Sequence, residues 1–246
     1  MQVLPPTRGS YSFPFLDSRV ETPTSMTFRF STRGSGFTFQ SNQAVRLQIP
    51  GIQDPWGPAR LLSLSSSPTE TDWIAVTVKM TGSPFKEALR NVKPGDRVQV
   101  FGPLGDLIYV PTRPAVMIAG GIGITPFRGM TRFAVDRGVD QPITLLYSAR
   151  VPEEFAFRTE LDEMAQRHPK LRIVYTVTRP QEATVPWKGR VGRIDERLIR
   201  EAAADLDAPN FYFAGLPEMI ESTMEILRSR LGIPEERLWW EPFRGY

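Results

Sequence analysis

The residue types best suited to chemistry lie in one stretch, Ala115-Val116-Met117-Ile118-Ala119-Gly120-Gly121-Ile122-Gly123-Ile124-Thr125-Pro126. A short apolar run ends in a glycine cluster, and a helix is expected directly after it. Val116 to Ala119 read as a buried parallel strand. Glycines at 121 and 123 let a bulky anion come close to the backbone. Thr125 is expected to cap the helix, and Pro126 suits its first position, where no amide donor is needed. The N–H groups and positive dipole end at such a start suit a phosphate. The chemistry this predicts is the cradling of a nucleotide diphosphate. Gly121-x-Gly123-x-x-Pro126 differs from the common dinucleotide fingerprint, since proline stands where a third glycine would be.

Three other stretches carry related chemistry. In Arg60-Leu61-Leu62-Ser63, the arginine can grip a diphosphate through two donors at once. Ser63 is placed to hydrogen-bond the polar edge of a ring. In Gly82-Ser83-Pro84-Phe85-Lys86, Ser83 as cap and Pro84 as first residue predict another helix start, with Lys86 adding positive charge. In Phe213-Ala214-Gly215-Leu216-Pro217, a strand again ends in glycine and a helix begins at the proline. A flat ring would fit against the backbone at Gly215.

Composition narrows the classes. The chain has 246 residues, 41% of them hydrophobic and 23% charged, with net charge +3. That length suits two ordinary domains. There is no cysteine and one histidine, so this chain ligates no iron–sulfur cluster through cysteine, forms no disulfide and has no cysteine nucleophile. The lone His168 precedes a proline in a polar run and reads as a solvated helix end. Chemistry without Cys or His usually belongs to a bound cofactor. The arginines are spread, not striped with aromatics, which argues against nucleic acid. No apolar run is long enough to span a membrane. The N-terminus lacks the regions of a secretory signal, so a cytoplasmic protein is expected.

The elements that must position these residues differ between the two halves. Residues 1–110 carry short alternating runs, at 25–30, 44–49, 73–78 and 97–101, split by Pro, Gly and Ser. Period-two runs at this spacing suggest a small antiparallel barrel. Residues 111–246 alternate strand and helix, with strands at 143–147, 172–177 and 210–214, a helix over 157–167, and a one-sided apolar stripe at Ile220, Met224, Leu227 and Leu231. That pattern implies a parallel sheet flanked by helices. Pro111 and Pro114 mark the boundary.

Taken together, these stretches resemble the ferredoxin–NADP reductase family. Its Arg-x-Tyr/Phe-Ser flavin motif, Gly-Ser phosphate helix, Gly-Gly-x-Gly-x-x-Pro loop, Gly-Pro-x-x-Met-type turn and aromatic tail have counterparts here, in the same order, over nearly the whole chain. The resemblance implies an FAD-binding Greek-key β-barrel joined to a Rossmann-like α/β domain with a five-stranded parallel sheet. It implies hydride transfer between NAD(P)H and FAD, with a ferredoxin or flavodoxin as one-electron partner. It assigns Arg60 to the FAD diphosphate, Ser63 to the reactive edge of the flavin, and Gly82, Ser83 and Lys86 to the FAD phosphates. Gly121, Gly123, Thr125 and Pro126 go to the diphosphate of the nicotinamide dinucleotide, and Gly215 lies near its nicotinamide. Glu241 in Trp240-Glu241-Pro242-Phe243 matches the family's C-terminal acid. Phe243 matches the ring that stacks on the flavin, and Tyr246 covers another part of the FAD. Leu62 stands where the family has an aromatic, leaving an apolar wall without a stack. Ala214 replaces the cysteine often found before Gly215.

Arg150 and Arg179 follow consecutive strand ends and are expected to meet at the carboxyl edge of the sheet. There they would serve a 2′-phosphate, so NADP(H) is preferred over NAD(H). Two other functions fit the same fold. One is reduction of free flavin, ferric chelates or quinones. The other is a non-catalytic electron-transfer or sensory subunit of a larger complex.

Overall fold

A computed structural model describes residues 6–105 and 108–243. The N-terminal half forms a six-stranded antiparallel sheet from β1 (Gly9–Thr22), β2 (Ser25–Ser31), β3 (Ala44–Gln48), β4 (Ala59–Ser63), β5 (Trp73–Lys79) and β6 (Arg97–Leu104). Their order is β4-β3-β6-β1-β2-β5. A bridge between Leu64 and Val76 joins the two ends and closes the barrel. Alternating residues fill its interior, among them Phe13, Phe28, Phe30, Val45, Leu47, Val76 and Val100, as expected for strands with one wet face. β1 serves two partners. Gly9 to Pro14 pair with β6, and Phe15 to Thr22 pair with β2. Pro14 sits at the changeover, where a missing N–H is tolerated. A helix, α1 (Pro84–Arg90), lies between β5 and β6.

The second half is a parallel sheet of β7 (Ala115–Gly120), β8 (Ile143–Ala149), β9 (Leu171–Val177), β10 (Arg190–Val191), β11 (Asn210–Gly215) and β12 (Leu238–Pro242). The order is β10-β9-β8-β7-β11-β12. It has six strands and not five. The two-residue β10 is too short to show a period, and the aromatic tail is itself a strand beside β11. Helices α2 (Thr125–Arg137) and α3 (Arg158–Arg167) pack on Ala115, Met117 and Ala119 of β7. Helices α4 (Glu196–Ala203) and α5 (Pro217–Met224) cover Val116 and Ile118 on the opposite face. The chain reverses direction across the sheet between β7 and β11, and ligands of such sheets bind in the crevice at that point. No helix among the described residues is long and apolar enough to cross a membrane.

Two local expectations fail. His168 is 7% exposed, and its Nε2 lies 3.0 Å from the Val139 carbonyl. It closes α3 from inside the fold and is not a solvated end. Thr125 does not cap α2 through its side chain. A 3₁₀ turn over Gly121–Ile124 precedes the helix, and Thr125 and Pro126 are its first two residues. Thr125 is buried, since the turn has already wound the chain inward.

Candidate active site between the two sheets

β4 ends at Ser63 and β12 carries Glu241. The Ser63 hydroxyl donates to Glu241 Oε1 at 2.7 Å. Burial pushes the Glu241 carboxyl above its ordinary value, and the Ser63 hydroxyl partly draws it back. Register places Glu241 beside Ala214 and Pro242 beside Gly215. The Phe243 amide then donates to the Gly215 carbonyl at 2.8 Å. Ser63, Glu241, Gly215 and Phe243 thus converge at the carboxyl edge of the parallel sheet, facing the barrel. Tyr246 lies outside the described residues.

The glycines divide by role. A Cβ on Gly123 would lie 2.2 Å from the Ala214 carbonyl oxygen, and one on Gly215 would lie 2.8 Å from Met219 Sδ. Both are needed for β7, the 3₁₀ turn, β11 and α5 to stack closely. Gly120 belongs to this stack too, its Cβ position lying 2.2 Å from Met219 Sδ. Gly121 is different. Its φ of +53° favours glycine, and no atom lies within 4 Å of its Cβ position, which leaves room for a ligand at the crevice.

On the barrel, Arg60 is tied down. Its Nη2 donates to Asp54 at 2.6 Å and its Nη1 to the carbonyls of Gly57 and Ala59 at 2.7 and 2.9 Å. Leu62 is half-buried against the barrel core. Gly82 has φ +75° with open space around it. Ser83 caps α1, accepting from the Lys86 amide at 3.4 Å, while the Phe85 amide donates to Asp54 at 3.0 Å. Those two amides are occupied within the protein, so Lys86 itself supplies much of the positive charge here. Its ammonium also donates to Thr81 Oγ1 at 2.9 Å. Burial and the nearby charges of Arg60 and Lys79 lower its pKa. The donor set, two cations beside an open glycine, fits a diphosphate.

The loops after β8 and β9 lie side by side, with the Arg179 amide bonded to the Arg150 carbonyl at 2.8 Å. Glu182 bridges the two guanidinium groups, at 2.7 Å from Arg150 and 3.2 Å from Arg179. Sequence reasoning missed this acid, which sits three residues past Arg179 in a loop with no periodic pattern.

It also missed the joint between the halves. Arg128 of α2 is 7% exposed. It pairs with Glu70 from the loop after β4 and with Glu160 from α3, and donates to the Ser65 carbonyl at 3.2 Å. Gly129 beside it lets the Ser66 carbonyl come within 2.7 Å of where a Cβ would be.

A family model, the oxidoreductase NAD-binding domain, matches residues 117–225. The chain is 30% identical to ferredoxin–NADP reductase B of Sorangium cellulosum over 219 residues, covering 85% of this chain and 87% of that protein. It is 27% identical to the glycine betaine monooxygenase reductase subunit of Chromohalobacter salexigens, over 78% of this chain but only 53% of that longer protein. Its fold is similar to a ferredoxin NADP+ reductase from Neisseria gonorrhoeae solved with bound FAD and NADP. That likeness has a TM-score of 0.75 at 22% identity, over 95% of this chain and 98% of the other. The barrel, the parallel sheet, the site between them and these likenesses together make the chain a member of the ferredoxin–NADP reductase family, whose cofactors are FAD and a nicotinamide dinucleotide.

Proposed function

We propose that this chain moves electrons from NADPH through FAD to a separate one-electron carrier protein, a ferredoxin or flavodoxin, in the cytoplasm. The observation that carries the reading is the Ser63–Glu241 hydrogen bond. It sets a hydroxyl and a shielded carboxyl between the barrel and the crevice of the parallel sheet. FAD, when bound, accepts a hydride from nicotinamide and passes electrons on singly.

Unit 1–110 holds the flavin, with Arg60, Lys86, Gly82 and Ser83 on its diphosphate and Leu62 as an apolar wall. Unit 111–246 holds the dinucleotide, with Gly121 open to its diphosphate, the buried Gly123, Thr125 and Pro126 packing the turn behind it, and Gly215 beside the ring. When Glu241 is protonated it can donate to Ser63 Oγ, which frees the Ser63 hydroxyl proton for the reactive edge of the flavin. Phe243 covers the ring face until nicotinamide arrives. Holding two rings in near-contact is the main service such a site provides. Arg150 and Arg179 favour the 2′-phosphate of NADP. The net charge of +3 suits an acidic carrier.

Anaerobic titration with NADPH and NADH, followed by visible absorption, tests the reading. Stoichiometric bleaching of bound flavin by NADPH supports it. Flavin that stays yellow under NADPH defeats it and leaves the non-catalytic alternative. Leu62 in place of an aromatic favours a second reading, in which flavin is a substrate and not a fixture. Retention of FAD through gel filtration separates the two.

A further inference from the structure

The loop leading into β4 carries a carboxylate that joins both cationic elements of the barrel. The Asp54 side chain is fully buried, whereas the Arg60 side chain above it is 24% exposed. One Asp54 oxygen accepts from Arg60 Nη2 at 2.6 Å and from the Phe85 amide at 3.0 Å. The other accepts from the Trp56 amide at 2.8 Å. The Arg60 guanidinium also lies over the Phe85 ring, 5.1 Å from its centroid. Arg60 on β4 and the first turn of α1 are therefore fixed to one another through a single acid.

The burial pattern says which way that acid acts. A carboxylate in the mouth of an anion site would be open to solvent and would compete with the anion. The Asp54 side chain lies beneath the guanidinium with no exposed surface of its own. An anion arriving from solvent meets Arg60, not Asp54. A charged hydrogen bond from below also holds the arginine in one rotamer, so less conformational entropy is lost when its outer face binds.

We propose that Asp54 is a positioning residue for the flavin phosphates: it holds Arg60 in register with the Lys86 turn so that both cations face one phosphate-bearing ligand. This rests on the reading of Arg60 as a diphosphate ligand.

The test uses the full chain stripped of flavin, titrated with FAD, FMN and riboflavin and followed by flavin fluorescence. In the native protein FAD and FMN should bind more tightly than riboflavin, which has no phosphate. Asp54→Asn keeps the shape and removes the charge. It should weaken FAD and FMN by about tenfold, the size of one charged hydrogen bond lost, and leave riboflavin unchanged. Asp54→Ser, which removes the charge and is too short to bridge Arg60 and the Phe85 amide, should give the same split and guards against an Asn-specific distortion. Equal weakening of all three ligands would mean that Asp54 merely holds the fold, and would overturn the proposal. Tighter FAD binding would overturn it as well, by making Asp54 a competitor. If the native protein does not prefer the phosphorylated flavins, the diphosphate reading of Arg60 falls and this proposal with it. If the native preference exists and survives in Asp54→Asn, only the role of Asp54 falls.

Discussion

Ser63 and Glu241 stand 178 positions apart in the chain and meet at 2.7 Å, so the barrel and the last strand of the parallel sheet share one hydrogen bond at the candidate site. Its acid has a pKa raised by burial, and that has a thermodynamic consequence. The folded protein keeps the Glu241 proton over a pH range in which the unfolded chain, titrating near 4.5, has lost it. Stability therefore falls as pH rises from that value through the folded pKa, and the penalty is constant above it. Glu241→Gln should remove this slope, so its stability relative to the native protein should improve as pH rises. Ser63→Ala removes the hydrogen bond that draws the pKa down, and should extend the slope to higher pH. Thermal unfolding across a pH series measures both. Parallel pH profiles for all three proteins would mean that Glu241 is not held protonated. For the reaction, loss of the Ser63 donor should slow flavin reduction by roughly tenfold to a hundredfold, measured by stopped flow.

Glu182 lies between Arg150 and Arg179, and its carboxyl is held below the usual range by their hydrogen bonds, Arg150 first. All three side chains are about half exposed, so their pairing is weak in water. A dianionic 2′-phosphate is a stronger partner for the same two guanidinium groups. Arg179→Ala should raise KM for NADPH by about tenfold, one charged hydrogen bond's worth, and leave KM for NADH nearly unchanged. Glu182→Gln should act the other way, since NADPH would no longer displace a bound acid. Equal effects on both cofactors would remove these arginines from the specificity site.

Much of this was legible beforehand because it is local. The strand–glycine–helix sequences at Gly121 and Gly215 and the alternating barrel strands announce themselves within a few residues. β1 is not legible, because Pro14 interrupts its pattern at the point where it exchanges partners. The roles of the glycines were legible only in part. Spacing marks Gly123 as a place where an anion could reach the backbone, whereas what bars a side chain there is the Ala214 carbonyl, which comes from β11. Asp54, Glu182 and the Glu70–Arg128–Glu160 cluster gave no signal at all. Each is an ordinary charge in its own segment and acquires a partner only in three dimensions.

The Arg128 cluster is a buried polar joint between the loop after β4 and the sheet domain. Its centre is a buried cation between two acids, Glu70 and Glu160, which are 9% and 20% exposed. Removing one member of a buried ion pair leaves the others uncompensated, at a cost of about 3–5 kcal/mol. Arg128→Met should therefore lower stability by an amount of that order in denaturant unfolding. Glu70→Gln removes only one of the two acids and should cost less, because Glu160 still pairs the arginine and the Ser65 carbonyl still accepts from it. A loss below about 1 kcal/mol in Arg128→Met, the value of a surface pair, would show that the cluster is solvated and not a joint.

Gly123 and Gly121 should respond differently to alanine. At Gly123 the methyl would meet the Ala214 backbone at 2.2 Å, and backbone cannot move aside without shifting β11. A loss of about 1–3 kcal/mol is expected from overpacking, together with weaker binding of either dinucleotide. At Gly121 the methyl has open space, and the cost is the positive φ alone, about 1 kcal/mol. Its effect should fall on ligand affinity more than on stability. Calorimetry of the two variants with and without NADP+ checks the pair. Equal loss of stability at both positions would contradict the assignment of Gly121 to the ligand crevice.

Phe243 ends the described chain at the point of greatest interest. Its amide is held by the Gly215 carbonyl, and its ring packs at the margin of the core that contains Tyr212 and Ala214. On the proposed reading, a ring anchored by its own backbone at the edge of the crevice would occupy ground that nicotinamide must share, and would act as a reversible cover. Removing residues 243–246 should therefore lower KM for NADPH. Product should then leave more slowly, and kcat should fall with it. Phe243→Trp should do the opposite on binding, since a larger ring costs more to displace. The cut also removes Tyr246, the second ring expected to cover FAD, so flavin content is measured alongside the kinetics. Unchanged NADPH kinetics with full flavin content would show that the ring lies aside from the nicotinamide path.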